Sequence, residues 1–205
     1  MKLIGNGAEA RIYLDAKKNC VVKRRIQKTY RVDEIDSKMR LQRTRREAKI
    51  LTKLSEMCPL VMGVDEKTME ISMEYVDGPM IKDVIGDMEK KERSRVMRAV
   101  GVNAGKMHQK DVIHGDLTTS NMLLLGDDVK FIDFGLAFVT HKIEHKAVDI
   151  HLMKHALESK HYKNYKSLFE DFLEGYAEGN PEHVVVMDRL KIVEKRGRYK
   201  RRMGS

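Results

Sequence analysis

Ile113-His114-Gly115-Asp116-Leu117-Thr118-Thr119-Ser120-Asn121, followed after a short hairpin by Phe131-Ile132-Asp133-Phe134-Gly135, is the stretch that decides how this chain reads. It sets an Asp and an Asn five residues apart on one predicted loop, with a second Asp twelve residues further on, just past an apolar strand. Phosphoryl transfer from ATP needs those three groups: a carboxylate for the acceptor hydroxyl, and an amide oxygen and a second carboxylate for magnesium. Asp116 is the candidate base, acting on a hydroxyl or on water. Asn121 and Asp133 are the candidate ligands of Mg2+, which selects hard oxygen donors. Asp-Phe-Gly alone is common and marks only a strand end; both motifs in order at this spacing carry the reading. His114 reads as a loop-ordering residue and Phe134 as a packing residue.

Working outward, Gly5-Asn6-Gly7-Ala8-Glu9-Ala10-Arg11-Ile12 approximates a phosphate-covering loop. Its glycines let backbone N–H groups approach phosphate oxygens without a Cβ clash. Ala10 stands where a third glycine is usual, and a simple Gly-rich turn between strands is the alternative. Lys23 closes the run Cys20-Val21-Val22, where an ammonium can reach α- and β-phosphates; Lys28 is the other candidate. Glu47 falls on the apolar face defined by Ile50, Leu51 and Leu54, at i, i+3, i+4 and i+7. A carboxylate facing a core needs a cation. Lys23 is one choice, and a local pair with Arg43 or Arg46 the other. Met73-Glu74-Tyr75-Val76-Asp77-Gly78 ends a strand, and the backbone at Glu74 and Val76 would offer an acceptor and a donor to an adenine edge. A plain linker reads equally well there.

The predicted elements group into two lobes. Residues 1–77 are β-rich, with strands at 61–65 and 69–76 and one helix over about 41–57, ended by Pro59. Residues 24–40 are too charged to assign. Asp77-Gly78-Pro79 is a break. Residues 78–190 are mainly helical, with helices at 90–109, 146–158 and 163–178 and a hairpin at 122–132; Val96, Val100 and Met107 point inward. The segment 191–205 reads as a basic tail, since Arg189 to Arg202 carries eight Lys or Arg in fourteen positions.

Composition narrows the field. The 205 residues are 41% hydrophobic, enough for a core, and no apolar run reaches the length of a membrane span. The start shows no signal-peptide pattern, and Cys20 and Cys58 lack metal-ligand spacing, so a reducing cytoplasm is the expected compartment. A net charge of +9 points to nucleic acid or an acidic partner.

Together these residues resemble the eukaryotic-like protein kinase superfamily. Within it the chain is similar to the small atypical kinase subunit of the KEOPS complex (the PRPK type), a relative of the RIO kinases. The carriers are Gly7-Ala8-Glu9-Ala10, Val22-Lys23 with Lys28-x-Tyr30-Arg31, Arg43-Thr44-Arg45-x-Glu47-Ala48, His114 through Asn121, and Lys195-Arg196-Gly197-Arg198. The resemblance implies an α+β, bilobal protein-kinase-like fold with a β-rich first lobe and a reduced, mainly helical second lobe. It also implies ATP and Mg2+ as cofactors, with serine autophosphorylation or ATP hydrolysis. The implied partners are the Kae-family subunit and other KEOPS subunits, in making threonylcarbamoyl-adenosine in tRNA. Departures from a standard protein kinase are informative. Gly115 replaces the Arg that would pair with a phosphorylated loop, Thr118 replaces a Lys, and no Ala-Pro-Glu follows. Only residues 135 to 149 separate the second motif from Asp149, a candidate anchor, so little room remains for a peptide platform. A small-molecule kinase of the aminoglycoside or choline type and a nucleotide-binding scaffold are the competing expectations.

Overall fold

Five strands form within residues 2–25 and 61–74, including the expected strand at 61–65 and one at 70–74 within the expected 69–76. In the computed structural model, the backbone is described for residues 1–203 and side chains for residues 1–196. Gly204 and Ser205 lie outside the described residues, and so do the side chains of the Gly197-Arg198 end of the expected C-terminal motif. The fold is α+β and divides into two units. One is Met1–Asp77 together with Ile132–Gly135; the other is Gly78–Phe131 with the chain from Leu136 onward. A boundary after residue 77 alone misses the return of Ile132–Gly135 to the first unit.

The first unit is a five-stranded antiparallel sheet, ordered β1 (Lys2–Asn6), β2 (Ala10–Asp15), β3 (Cys20–Arg25), β5 (Glu70–Glu74) and β4 (Val61–Asp65). A single helix, α1 (Asp33–Lys53), packs against β4 and β5. Its Ile50 and Leu51, and Leu54 at its C-cap, are buried, as are Val22, Ile71 and Met73 of the sheet. The helix starts eight residues earlier than the expected 41. Asp33, Glu34 and Asp36 occupy its first turn, where carboxylates suit the positive end of the helix dipole. Asp36 is fully buried and binds Arg40 (2.6 Å) and Arg31 (3.6 Å), so this turn is held by ion pairs rather than by an apolar stripe. The helix also ends at Lys53, short of Pro59.

The second unit is built on α3 (Lys90–Gln109), α4 (Ile143–Lys160), α5 (Tyr165–Gly179) and α6 (His183–Met203), with the short helix α2 (Ile81–Val84). Two small strand pairs lie between them: β6 (Val112–Ile113) with β9 (Phe138–Val139), and the hairpin β7 (Met122–Leu125) with β8 (Asp128–Phe131). Helices α3 and α5 meet at unusually close range through four glycines. A Cβ on Gly175 would stand 2.0 Å from the Arg98 carbonyl oxygen, and one on Gly101 would stand 2.1 Å from that of Phe172. Gly105 and Gly179 meet backbone at 2.7 Å and 2.3 Å in the same way. The stretch expected as a tail is the continuation of α6. Val186 and Leu190, one turn apart, are buried, and α6 packs on α4. Glu144 pairs with Arg189 (3.3 Å) and Arg196 (2.8 Å), and Lys154 with Glu194 (2.6 Å). Among the described residues no helix is long and apolar enough to cross a membrane.

Candidate active site

In the first unit the chemistry gathers around a buried carboxylate. Lys23 and Arg25 are two apart on β3 and so project to one face. Both are buried, and both reach Glu47 of α1. Lys23 Nζ donates to Glu47 Oε1 at 2.6 Å and to Asp133 Oδ1 at 2.7 Å. Arg25 donates to the other Glu47 oxygen, Oε2. The pairing of Glu47 is therefore with Lys23; Arg43 binds Glu9 instead (2.7 Å), and Arg46 is exposed. Burial alone would push the Lys23 ammonium down, but the carboxylates of Glu47 and Asp133 outweigh it and hold its pKa above the ordinary lysine value. Asp133 has φ +63, a left-handed backbone that costs energy in a non-glycine residue and recurs at functional sites. Its carboxylate is 57% exposed, unlike that of Glu47.

The Gly5–Ala10 turn links β1 to β2. The Gly7 N–H donates to the Ala10 carbonyl oxygen (3.0 Å), and a Cβ on Gly7 would crowd that same oxygen at 3.3 Å. Asn6 closes β1, pairing with Arg11. Lys28 Nζ donates to the Ala8 carbonyl, and Glu9 binds Arg43, so the turn is tied to the segment before α1 and to α1 itself. Lys28 thus holds the turn, while Lys23 holds the carboxylates. Glu74 pairs with Cys20 across the sheet, and its N–H donates to Leu60 O at 2.9 Å; Val76 is buried.

In the second unit, Gly115 has φ +78, and a Cβ there would stand 2.9 Å from the Leu136 carbonyl oxygen. Two separate reasons, backbone conformation and crowding, therefore require glycine. Asp116 follows, exposed. Asn121, at the end of a 3₁₀ turn, donates from Nδ2 to the Asp116 carbonyl (2.9 Å) and to its carboxylate Oδ2 (2.8 Å). The amide nitrogen is committed to Asp116, which orients the side-chain oxygen as the remaining donor atom. Beneath the loop, Asp149 of α4 accepts from the N–H groups of His114 (2.6 Å) and Gly115 (2.9 Å). It also accepts from His108 Nε2 at 3.2 Å. His108 Nδ1 lies 2.9 Å from the Tyr176 hydroxyl, which accepts from Asn180 Nδ2 at 2.8 Å. That order fixes the proton directions: Asn180 to Tyr176, Tyr176 to His108, and His108 to Asp149. All four residues are fully buried, and burial pushes the Tyr176 hydroxyl pKa well up, so it stays a donor. His114 is buried edge-on to Phe131.

Sequence reading singled out Lys23, Glu47, Asp116, Asn121 and Asp133 but missed Arg25, His108, Tyr176 and Asn180. Two signals were available: Arg25 at i+2 from Lys23, and the paired Gly-x-x-x-Gly spacings 101/105 and 175/179 that bring Tyr176 close to α3. Each unit carries a hard oxygen donor: Asp133 has a carboxylate in the first, and Asn121 an amide oxygen in the second. No group of three or more His, Cys, Asp or Glu among the described residues could hold a metal ion. Donors of either kind are ones that magnesium accepts, because it takes one or two protein carboxylates and draws its other ligands from phosphate and water.

Residues 1–168 match the family model described as a protein kinase domain. The chain is 45% identical to the KEOPS complex subunit Bud32 of Pyrococcus abyssi (strain GE5 / Orsay), over 98% of each chain. It is 40% identical to a probable serine/threonine-protein kinase BUD32 homolog of Archaeoglobus fulgidus, over 98% of this chain and 96% of the relative. The chain belongs to the Bud32 family of protein kinases. Bud32-like sequence also occurs within longer proteins. A probable bifunctional tRNA threonylcarbamoyladenosine biosynthesis protein of Methanobrevibacter smithii is 40% identical over 96% of this chain, which spans 36% of that relative's length.

Proposed function

We propose that the chain is an ATP-dependent atypical serine/threonine kinase and ATPase that works within the KEOPS complex in the synthesis of threonylcarbamoyl-adenosine in tRNA. The observation that carries the reading is Lys23, buried and raised in pKa, shared between Glu47 at 2.6 Å and Asp133 at 2.7 Å. An ammonium held charged by neighbouring carboxylates is suited to phosphates, and Glu47 keeps it aimed. Asp116 takes the proton of the acceptor, with Asn121 fixing its carboxylate; Asn121 and Asp133 hold magnesium. Magnesium-ATP supplies the transferable phosphoryl group and neutralises its charge. The turn Gly5–Ala10 covers the phosphates, and the backbone at Glu74 and Val76 receives adenine. Gly115 pressed against Leu136, in place of an Arg, favours water or the chain's own serines as acceptor over a docked peptide. The partners are the Kae-family subunit, the other KEOPS subunits and tRNA, the last met by the basic residues of α6. Cys20 and Cys58, both buried and in no disulfide, suit the cytoplasm.

The test is ATP turnover by the purified chain, alone and with the Kae-family subunit and tRNA, at varied magnesium. Asp133→Ala is expected to abolish turnover in every mixture. Hydrolysis that survives this change, or that proceeds equally well in chelator, rejects the reading.

A further inference from the structure

A cation that must let go of one carboxylate during turnover is a poor sole partner for another that must stay put. Lys23 is such a cation in the reading proposed above, on which this inference rests. Its ammonium is shared by Glu47 and Asp133, and phosphate oxygens compete for the same protons. Glu47 is buried at 1% exposure on α1, where a carboxylate left without a cation would swing out toward water. The structure supplies the remedy in Arg25. Its guanidinium binds Glu47 Oε2 while Lys23 binds Oε1, so the two cations use different oxygens and do not compete. Arg25 also approaches the Arg43 carbonyl oxygen of α1 at 3.4 Å. It is itself buried at 5% exposure, beside Gly135, and its Nε has no partner among the described residues. A chain tolerates so costly a burial where the pairing is needed. Without Arg25, Glu47 would depend on the same Lys23 ammonium that also binds Asp133.

We infer that Arg25 is a positioning residue that pins Glu47, and with it α1, so that Lys23 can exchange Asp133 for phosphate while Glu47 stays in place. One guanidinium nitrogen, Nη2, donates to Glu47 and approaches the α1 backbone, and the rigid planar group holds it there in a way that a flexible ammonium at the same place reproduces only in part.

Two measurements test this. The first is a double-mutant cycle on ATP turnover with Arg25→Gln and Glu47→Gln. Arg25→Gln is expected to lower kcat about tenfold, with Arg25→Lys recovering part of the loss, and to add nothing in the Glu47→Gln background. Losses that simply add, or an Arg25→Gln protein with unchanged kcat, overturn the inference. The second needs no nucleotide: amide hydrogen exchange over residues 44–51. Arg25→Gln is expected to speed it severalfold, whereas Lys23→Met leaves it near wild type, since Arg25 alone still neutralises Glu47. Equal acceleration in both variants overturns the inference as well. Asp133→Ala, assayed alongside, separates the two failures: if it retains turnover the kinase reading is wrong, and if it abolishes turnover while the cycle is additive only the role of Arg25 is wrong.

Discussion

The Asp116 loop depends on residues it never touches. Removing the Tyr176 hydroxyl leaves His108 Nδ1 and Asn180 Nδ2 without their shared partner in a fully buried site. Tyr176→Phe should cost about 1–3 kcal/mol, read as a lower melting temperature, and should reduce kcat more than it raises KM for ATP. Lys23 gives a second expectation. Its folded pKa lies above the unfolded one, so its contribution to stability is complete below the ordinary lysine value of about 10.4 and fades as pH rises through the higher folded value. The stability gap between wild type and Lys23→Met should therefore be flat near neutrality and close only in strongly alkaline buffer, as thermal melts at a series of pH values would show. The catalytic candidates were legible because phosphoryl transfer demands particular groups in a fixed order along the chain. Arg25, Tyr176 and Asn180 were not. Their value lies in partners 22, 68 and 4 residues away, and nothing about the residue types alone selects those partners.

Among the elements, those with an apolar period were read well and those held by charge were not. Helix α3 spans Lys90–Gln109, the range its pattern gave, with Val96, Val100 and Met107 buried. The first turns of α1 and the stretch of α6 up to Arg196 escaped, since their partners include ionic ones, as in Asp36–Arg40 and Glu144–Arg196. Dense charge looks the same in a solvated segment and in a helix stitched to its neighbour. The α3–α5 seam was also invisible, because glycine in a helix is ordinarily a weakness; here each glycine admits the opposing backbone. Gly175→Ala must push α5 off α3, and a drop in melting temperature of about 5–10 °C is expected. Gly86→Ala, where an added Cβ meets nothing within 4 Å, is the matched control and should change little.

For the whole molecule the net charge of +9 matters. Lys191 and Lys195 lie on the solvent side of α6. If tRNA meets this helix, Lys191→Glu combined with Lys195→Glu should weaken tRNA binding by the assembled complex and flatten its salt dependence by about one unit for each phosphate no longer neutralised. An unchanged slope would remove α6 from the nucleic-acid surface. The close approach of Leu136 to Gly115 has a bearing on descent. An arginine at 115 would need a left-handed backbone and would collide with the neighbouring strand of chain, so a lineage that settled on this arrangement cannot recover control by loop phosphorylation through one substitution. Lengthening the segment after Gly135 would have to come first, with no benefit until the arginine followed.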